Sequence, residues 1–165
     1  TYKGISRVYN PSWSGWKVID AKKSDPNFPK NLDTDQELLT NVKSFYKAEY
    51  WDVNLLDLFT DQDVAEEMFD TGVNLGPVKA ATFLQQSLNF LNRNENLYPD
   101  IVEDGKVGKK TLETLAYYLK YDKPIYLLKV MNVLQGIHYL NYMKKSPTQE
   151  KFARGWFSRV TLTKF

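Results

Sequence analysis

The chain has 165 residues, no cysteine and one histidine, with 22 basic against 20 acidic side chains and a formal net charge of +2. A chain of this length can be held as one compact domain by its hydrophobic core alone. The missing cysteines exclude disulfide scaffolds, thiol catalysis, iron–sulfur clusters and thiolate zinc sites, and the lone His138 excludes metal sites built on two or three histidines.

Little strand signal is present, and the chain reads as mainly α: an irregular opening, then amphipathic helices separated by Pro, Gly, Asn and Asp, forming a single compact unit with little or no β. Trp13 to Lys23 predicts a first helix with Trp16 and Ile19 on one side, ended by Asp25-Pro26-Asn27-Phe28-Pro29. Thr34 followed by Glu37 is a capping-box pattern, and Leu38, Leu39, Val42, Phe45 and Tyr46 then recur at helical spacing. A third helix starts near Asp61 and carries Val64, Met68 and Phe69 to Gly76-Pro77, a stop and restart. From Val78 the spacing of Ala80, Phe83, Leu84, Leu88 and Leu91 predicts a central helix. In Asp104-Gly105-Lys106-Val107-Gly108 the aspartate is expected to shape a turn, because a calcium loop needs more oxygen ligands in sequence. Leu112, Leu115, Ala116 and Leu119 mark the next helix. Ile125 to Lys145 is the longest, apolar on so wide an arc that it should be wrapped by the others. Ser146-Pro147-Thr148-Gln149 then predicts a capped last helix through Phe152, Trp156, Val160 and Leu162.

Mixed charge without a basic block argues against nucleic acid as the partner. No apolar run approaches the ~18 residues of a membrane span, so no membrane insertion is expected. The chain opens Thr1-Tyr2-Lys3-Gly4 without a leader-like pattern, and because it does not open on methionine a targeting segment is allowed upstream. Aromatic residues make up 15% of the chain. Large rings can build a core, or they can stack on the flat C–H faces of sugars, and composition leaves both readings open.

His138 is the first candidate for a general base, yet it sits in an aromatic helix and no Gly-x-Ser-x-Gly turn supplies a nucleophile, so a structural role is expected. Phosphate loops, dinucleotide glycine patterns and zinc helices do not occur, and neither metal nor organic cofactor is expected. Carboxylates remain. Glu67 and Asp70 lie three apart on one predicted helix beside Glu66, where a solvated face is the favoured reading. Glu49 and Asp52 flank Tyr50-Trp51 and divide evenly between surface and site.

The order of motifs is more informative than any one of them. Thr1-Tyr2-Lys3-Gly4-Ile5-Ser6, Glu49-Tyr50-Trp51-Asp52, Phe69-Asp70-Thr71-Gly72-Val73-Asn74-Leu75-Gly76-Pro77, Phe83-Leu84-Gln85-Gln86, Asp104-Gly105-Lys106-Val107-Gly108 and Gly155-Trp156 with Arg159 together resemble glycoside hydrolase family 108. These are lysozyme-like N-acetylmuramidases found in phage endolysins and in proteins labelled secretion activators. The resemblance implies a lysozyme-like helical fold. It divides the chain into a muramidase-like lobe at 1–77, incomplete at its N-terminus, and a peptidoglycan-binding helical lobe at 78–165 packed on the first. The family's general-acid glutamate lies in a Glu-Gly-Gly-Tyr motif shortly before the segment that Thr1 opens, which places that acid upstream of residue 1.

By the same resemblance Thr1 would position a water with its hydroxyl, or serve as a plain hairpin residue. Tyr50 and Trp51 would stack on a sugar or pack in the core. Asp70 would contact substrate, and Asn74 would hydrogen-bond an acetamido group or cap a helix. The implied partner is bacterial peptidoglycan at the cell envelope, periplasmic or extracellular, reached through a holin-like export partner or an upstream leader. The competing expectation is a non-catalytic peptidoglycan-binding or secretion-accessory module.

Overall fold

A computed structural model describes residues 1–161, so the expected place of Leu162 in the last helix lies outside the described residues. The described chain is mainly α, as expected. Its α-helices are α1 (Gly15–Lys22), α2 (Gln36–Tyr46), α3 (Gln62–Leu75), α4 (Pro77–Phe90), α5 (Lys109–Tyr121), α6 (Pro124–Lys145) and α7 (Ala153–Phe157). One isolated bridge, Tyr2 with Ile5, is the β feature among the described residues. No described helix is long and apolar enough to cross a membrane. Contacts group the chain into two compact units, Thr1–Glu49 and Tyr50–Phe165.

In the first unit the chain reverses at once. Lys3 and Gly4 both take positive φ, 45° and 84°, the signature of a type I′ turn. Tyr2 and Ile5 exchange backbone hydrogen bonds of 3.0 and 2.9 Å across it. Ile5 thereby enters a core with Trp16, Ile19, Leu32 and Leu38. The Tyr46 hydroxyl donates to the Lys3 carbonyl at 2.7 Å, over the space a Cβ on Gly4 would fill, so glycine is required there twice over. Helix α1 buries Trp16 and Ile19 as their spacing demands. Trp13 lies ahead of it, edge-on to Trp16 at 4.8 Å.

The cap of α2 falls one residue later than the Thr34 pattern suggests. Asp35 accepts from the Leu38 N–H at 2.7 Å and is ion-paired to Lys22 at 2.8 Å. A charged carboxylate answers both the orphan N–H groups and the helix dipole, which a threonine hydroxyl cannot.

In the second unit Asp61 caps α3 through the Val64 N–H at 3.0 Å. Gly76, at φ 92°, ends α3 and also stands before Pro77, the first residue of α4. Helix α4 is central: it packs on α3, α5 and α6. Its apolar stripe, with Ala80, Ala81, Leu84 and Leu88, joins Val64, Met68, Leu115, Tyr118, Leu127 and Met131 in one buried cluster.

Another face of α4 carries carboxamides. Buried Gln85 accepts from the Gly105 N–H at 2.9 Å and donates to the Asp104 carboxylate, the Lys106 carbonyl and the Thr111 hydroxyl at 2.9, 3.0 and 3.2 Å. Asn89 donates to the Ile101 carbonyl and accepts from the Ile101 N–H, both at 2.9 Å. Asn92 donates to Asp100 at 2.6 Å. Asp104 shapes the turn as expected, also accepting from the Lys106 N–H at 3.0 Å.

Helix α6 corrects one expectation: it is not wrapped all round. Its buried residues include Leu127, Met131, Tyr139 and Met143 but also Asn132 and Gln135, while Val133, Ile137 and Leu140 are exposed. Gln135 donates to Thr71 of α3 at 3.3 Å, so polar pairing with α3 claims a strip that an apolar count assigns elsewhere. After α6 a 3-10 turn, Pro147–Phe152, leads into the short α7, and Ser146 makes no side-chain cap.

Replacing Gln85 with leucine strands the buried Gly105 N–H and puts an apolar side chain among the Asp104, Lys106 and Thr111 oxygens. The expected loss is roughly 3 kcal/mol of stability, read as a lower urea midpoint at unchanged slope.

Candidate functional site

Two of the clefts in the second unit are lined in part by α3. Helical spacing puts Asp63, Glu66, Glu67 and Asp70 on one stripe of α3. With Lys129 and Asn132 of α6 and with Arg159 they line a cleft of about 480 Å³. Glu67 is half-buried rather than solvated, which corrects the favoured sequence reading. It accepts from the Thr71 hydroxyl at 3.1 Å, and Thr71 in turn accepts from Gln135. Burial, with a smaller push from Asp70, raises its carboxyl above the ordinary glutamate range, against hydrogen bonds from Asn132 and Thr71 that favour the charged form. Asp70 takes the Arg159 guanidinium at 2.6 Å. Among the described residues no group of three or more His, Asp or Glu side chains is arranged to hold a metal ion.

The other cleft, about 310 Å³, is lined by Asn74 and Leu75 at the end of α3, by His138, Tyr139 and Tyr142 of α6, and by Trp156 of α7. Trp156 stacks on Tyr139 with centroids 5.4 Å apart and planes 17° from parallel, and Tyr142 lies 5.8 Å from the same indole. Tyr139 is 3% exposed and its hydroxyl has no hydrogen-bond partner among the described residues. His138 stands edge-on to Phe83 at 6.3 Å; burial, and then the charge of Lys79, lower its pKa and keep the ring neutral at pH 7.

The first unit carries a cleft of about 410 Å³ whose lining includes Thr1, Tyr2, Arg7, Trp16, Lys23 and Phe28. Arg7 grips Asp20 with both terminal nitrogens, at 3.1 and 2.9 Å, and lies 4.5 Å over the Trp16 ring. Hydrogen bonds from Arg7 and Lys23 pull the Asp20 carboxyl down to about 2. Thr1 itself is exposed.

Of the residues singled out from sequence, Asp70 and Asn74 are brought together, one turn apart on α3 and hydrogen-bonded. Tyr50 and Trp51 stand elsewhere on the second unit. The Trp51 indole donates to Asp57 at 2.7 Å and its ring meets Phe69 edge-on at 5.7 Å, while Tyr50 lies beside Gly72. Glu49 and Asp52 are exposed. Sequence reasoning did not single out Tyr139 or Tyr142, which face Trp156. Their i, i+3 spacing on α6, one turn beyond Gln135, is the signal that was there to read.

The raised Glu67 pKa has a sign. An acid harder to ionise when folded adds stability that is complete while the group is protonated and is lost as pH rises through the folded value. Glu67→Gln should therefore melt at or above the wild-type temperature at pH 7 and alongside it at pH 4, and thermal melts across that range check the crossover.

Comparison with known proteins bears on what these clefts serve. The family model described as Glycosyl hydrolase 108 matches residues 1–76, and the one described as Predicted Peptidoglycan domain matches residues 79–161. No curated protein gives a significant match. A solved structure of SagA from Brucella abortus is similar with a TM-score of 0.57 at 20% identity, over 95% of this chain and 72% of that one, a likeness of fold. The chain thus carries a member of the Predicted Peptidoglycan domain family over half its length, at 79–161, directly after a segment at 1–76 that matches the glycosyl hydrolase 108 family.

Proposed function

We propose that the protein is a peptidoglycan hydrolase that cleaves the glycosidic bond between N-acetylmuramic acid and N-acetylglucosamine. The observation that carries this reading is the ordered pair of family segments, hydrolase then peptidoglycan domain, across nearly the whole chain. The same pair supports a division of labour near residues 77 and 78, with the muramidase-like part first and the wall-binding part after it. Action on the wall puts the working protein at the cell envelope, in the periplasm or outside the cell.

Breaking a glycosidic bond needs a carboxylic acid held protonated until it gives its proton to the leaving oxygen, and a second group that steers water or steadies the oxocarbenium-like state. In this reading the acid is the glutamate that family resemblance places ahead of Thr1. The Thr1 hydroxyl orients the attacking water, Tyr50 and Trp51 offer aromatic surface to a sugar, and Asp70 and Asn74 hydrogen-bond substrate. The conversion requires neither metal nor organic cofactor.

Digestion of purified sacculi by the full gene product tests the proposal: new reducing muramic-acid ends are expected, and Thr1→Val should lower kcat by roughly 10²-fold with KM little changed. Sacculi bound but left uncut would overturn hydrolysis in favour of a wall-binding module. Neither binding nor cleavage would leave a secretion-accessory role.

A further inference from the structure

Helix α6 turns a row of apolar side chains outward. Tyr126, Val133, Ile137 and Leu140 are between 43% and 55% exposed, Val130 is half-buried and Lys144 is exposed. These six positions follow at intervals of four, three, four, three and four, the heptad spacing of a coiled-coil seam. The seam covers roughly 27 Å of helix. Asn132, Gln135 and Tyr139, which turn toward α3 and its clefts, lie on the opposite side of α6, so the seam is separate from both clefts. The ring of Phe157, itself 37% exposed, stands 3.6 Å from where a Cβ on Gly136 would lie and widens the apolar surface along one edge. A continuous apolar row on an outer helix marks a contact surface.

We propose that α6 pairs with α6 of a second copy of this chain, antiparallel, about a two-fold axis that passes between Val133 and Ile137. The inference rests on packing and is independent of what the clefts bind.

Self-complementarity singles out a second copy. The intervals read the same from either end, so an antiparallel copy meets the six positions in register: Val133 against Ile137, Val130 against Leu140 and Tyr126 against Lys144, each layer occurring twice. A two-fold interface needs one patch that matches its own reverse, and this seam is such a patch. Its buried side already holds α6 against α3 and α4, so association orders no backbone.

Charge fixes the direction. Helix α6 contains Lys129, Lys144 and Lys145 and no Asp or Glu. A parallel pair would set the two Lys144 side chains in one layer with no carboxylate of either helix to answer them. The antiparallel pair places them roughly 27 Å apart along the axis, well beyond the Debye length of ~8 Å at physiological salt, and lays each on the ring of the partner's Tyr126. An acidic partner would find one cation on the seam, at its far end, so apolar matching decides the occupant.

Sedimentation velocity of the full chain across three decades of concentration should show a monomer–dimer equilibrium with a dissociation constant on the order of 10 µM, as suits a small interface. Ile137→Lys puts a cation into each central layer and should weaken the dimer roughly a hundredfold, with an unchanged melting temperature in dilute solution. Phe90→Lys, at a side chain more exposed still but at the end of α4, should leave the dimer as it is. The absence of cysteine permits a test of register. Val130→Cys mixed with Leu140→Cys should yield a mixed disulfide on oxidation, because those positions share a layer. Neither variant alone should cross-link, since its own copies lie roughly 15 Å apart along the axis. A dimer indifferent to Ile137→Lys, or either cysteine variant cross-linking with itself in preference to the mixture, would overturn the pairing. So would a chain that stays monomeric throughout, and sedimentation of that monomer with anionic phospholipid vesicles, lost in Ile137→Lys, would assign the seam to a lipid surface instead.

Discussion

Residues 99–108 carry neither helix nor strand, so their peptide groups must find partners outside any ladder. Helix α4 provides them. Gln85 and Asn89, four apart on one face, and Asn92 just past the helix end grip Asp100, Ile101, Asp104, Gly105 and Lys106 one after another. A carboxamide both donates and accepts, so a row of them can serve an extended segment much as a neighbouring strand would. With the segment anchored, Ile101 and Val107 are delivered to the apolar cluster and α5 starts where Leu115 and Tyr118 can reach the same core. The packing of α3 and α6, and hence the two clefts that α3 lines, is built on that central helix.

Helix α3 works on several fronts. Val64, Ala65 and Met68 enter the core, Glu67 and Asp70 turn to the charged cleft, and Asn74 reaches the neutral one. Its buried polar contacts with α6 run from Gln135 through Thr71 to Glu67, a chain in which each member orients the next. Such a chain specifies the register of two helices better than apolar contact does, because a shift by one residue leaves several groups unpaired at once.

Much of this was legible in the sequence. The helices, the Asp61 start, the Gly76-Pro77 break and the central place of α4 all follow from local spacing and from residues with few conformational options. The misread parts depend on partners distant in the chain. Asp35 displaces Thr34 as the cap because Lys22 stands beside it. Glu67 looks like surface on its own helix and is half-buried only because Asn132 and Thr71 receive it. Helix α6 was read from its apolar arc, yet Asn132 and Gln135 occupy its buried strip and push Ile137 and Leu140 outward. A one-dimensional pattern ranks polar residues as exposed, and a fold that buries them in matched pairs defeats it.

The junction at Gly76 has a consequence for how such proteins are assembled. One residue serves as the end of α3 and the approach to α4, and Val64 and Met68 before it share a core with Ala80 and Leu84 after it. The border between the two family segments therefore runs through a continuous interior with no tether across it. Exchange of either segment as a cassette is closed to this chain at that border, since a graft there would have to bring a matching half of the interior with it.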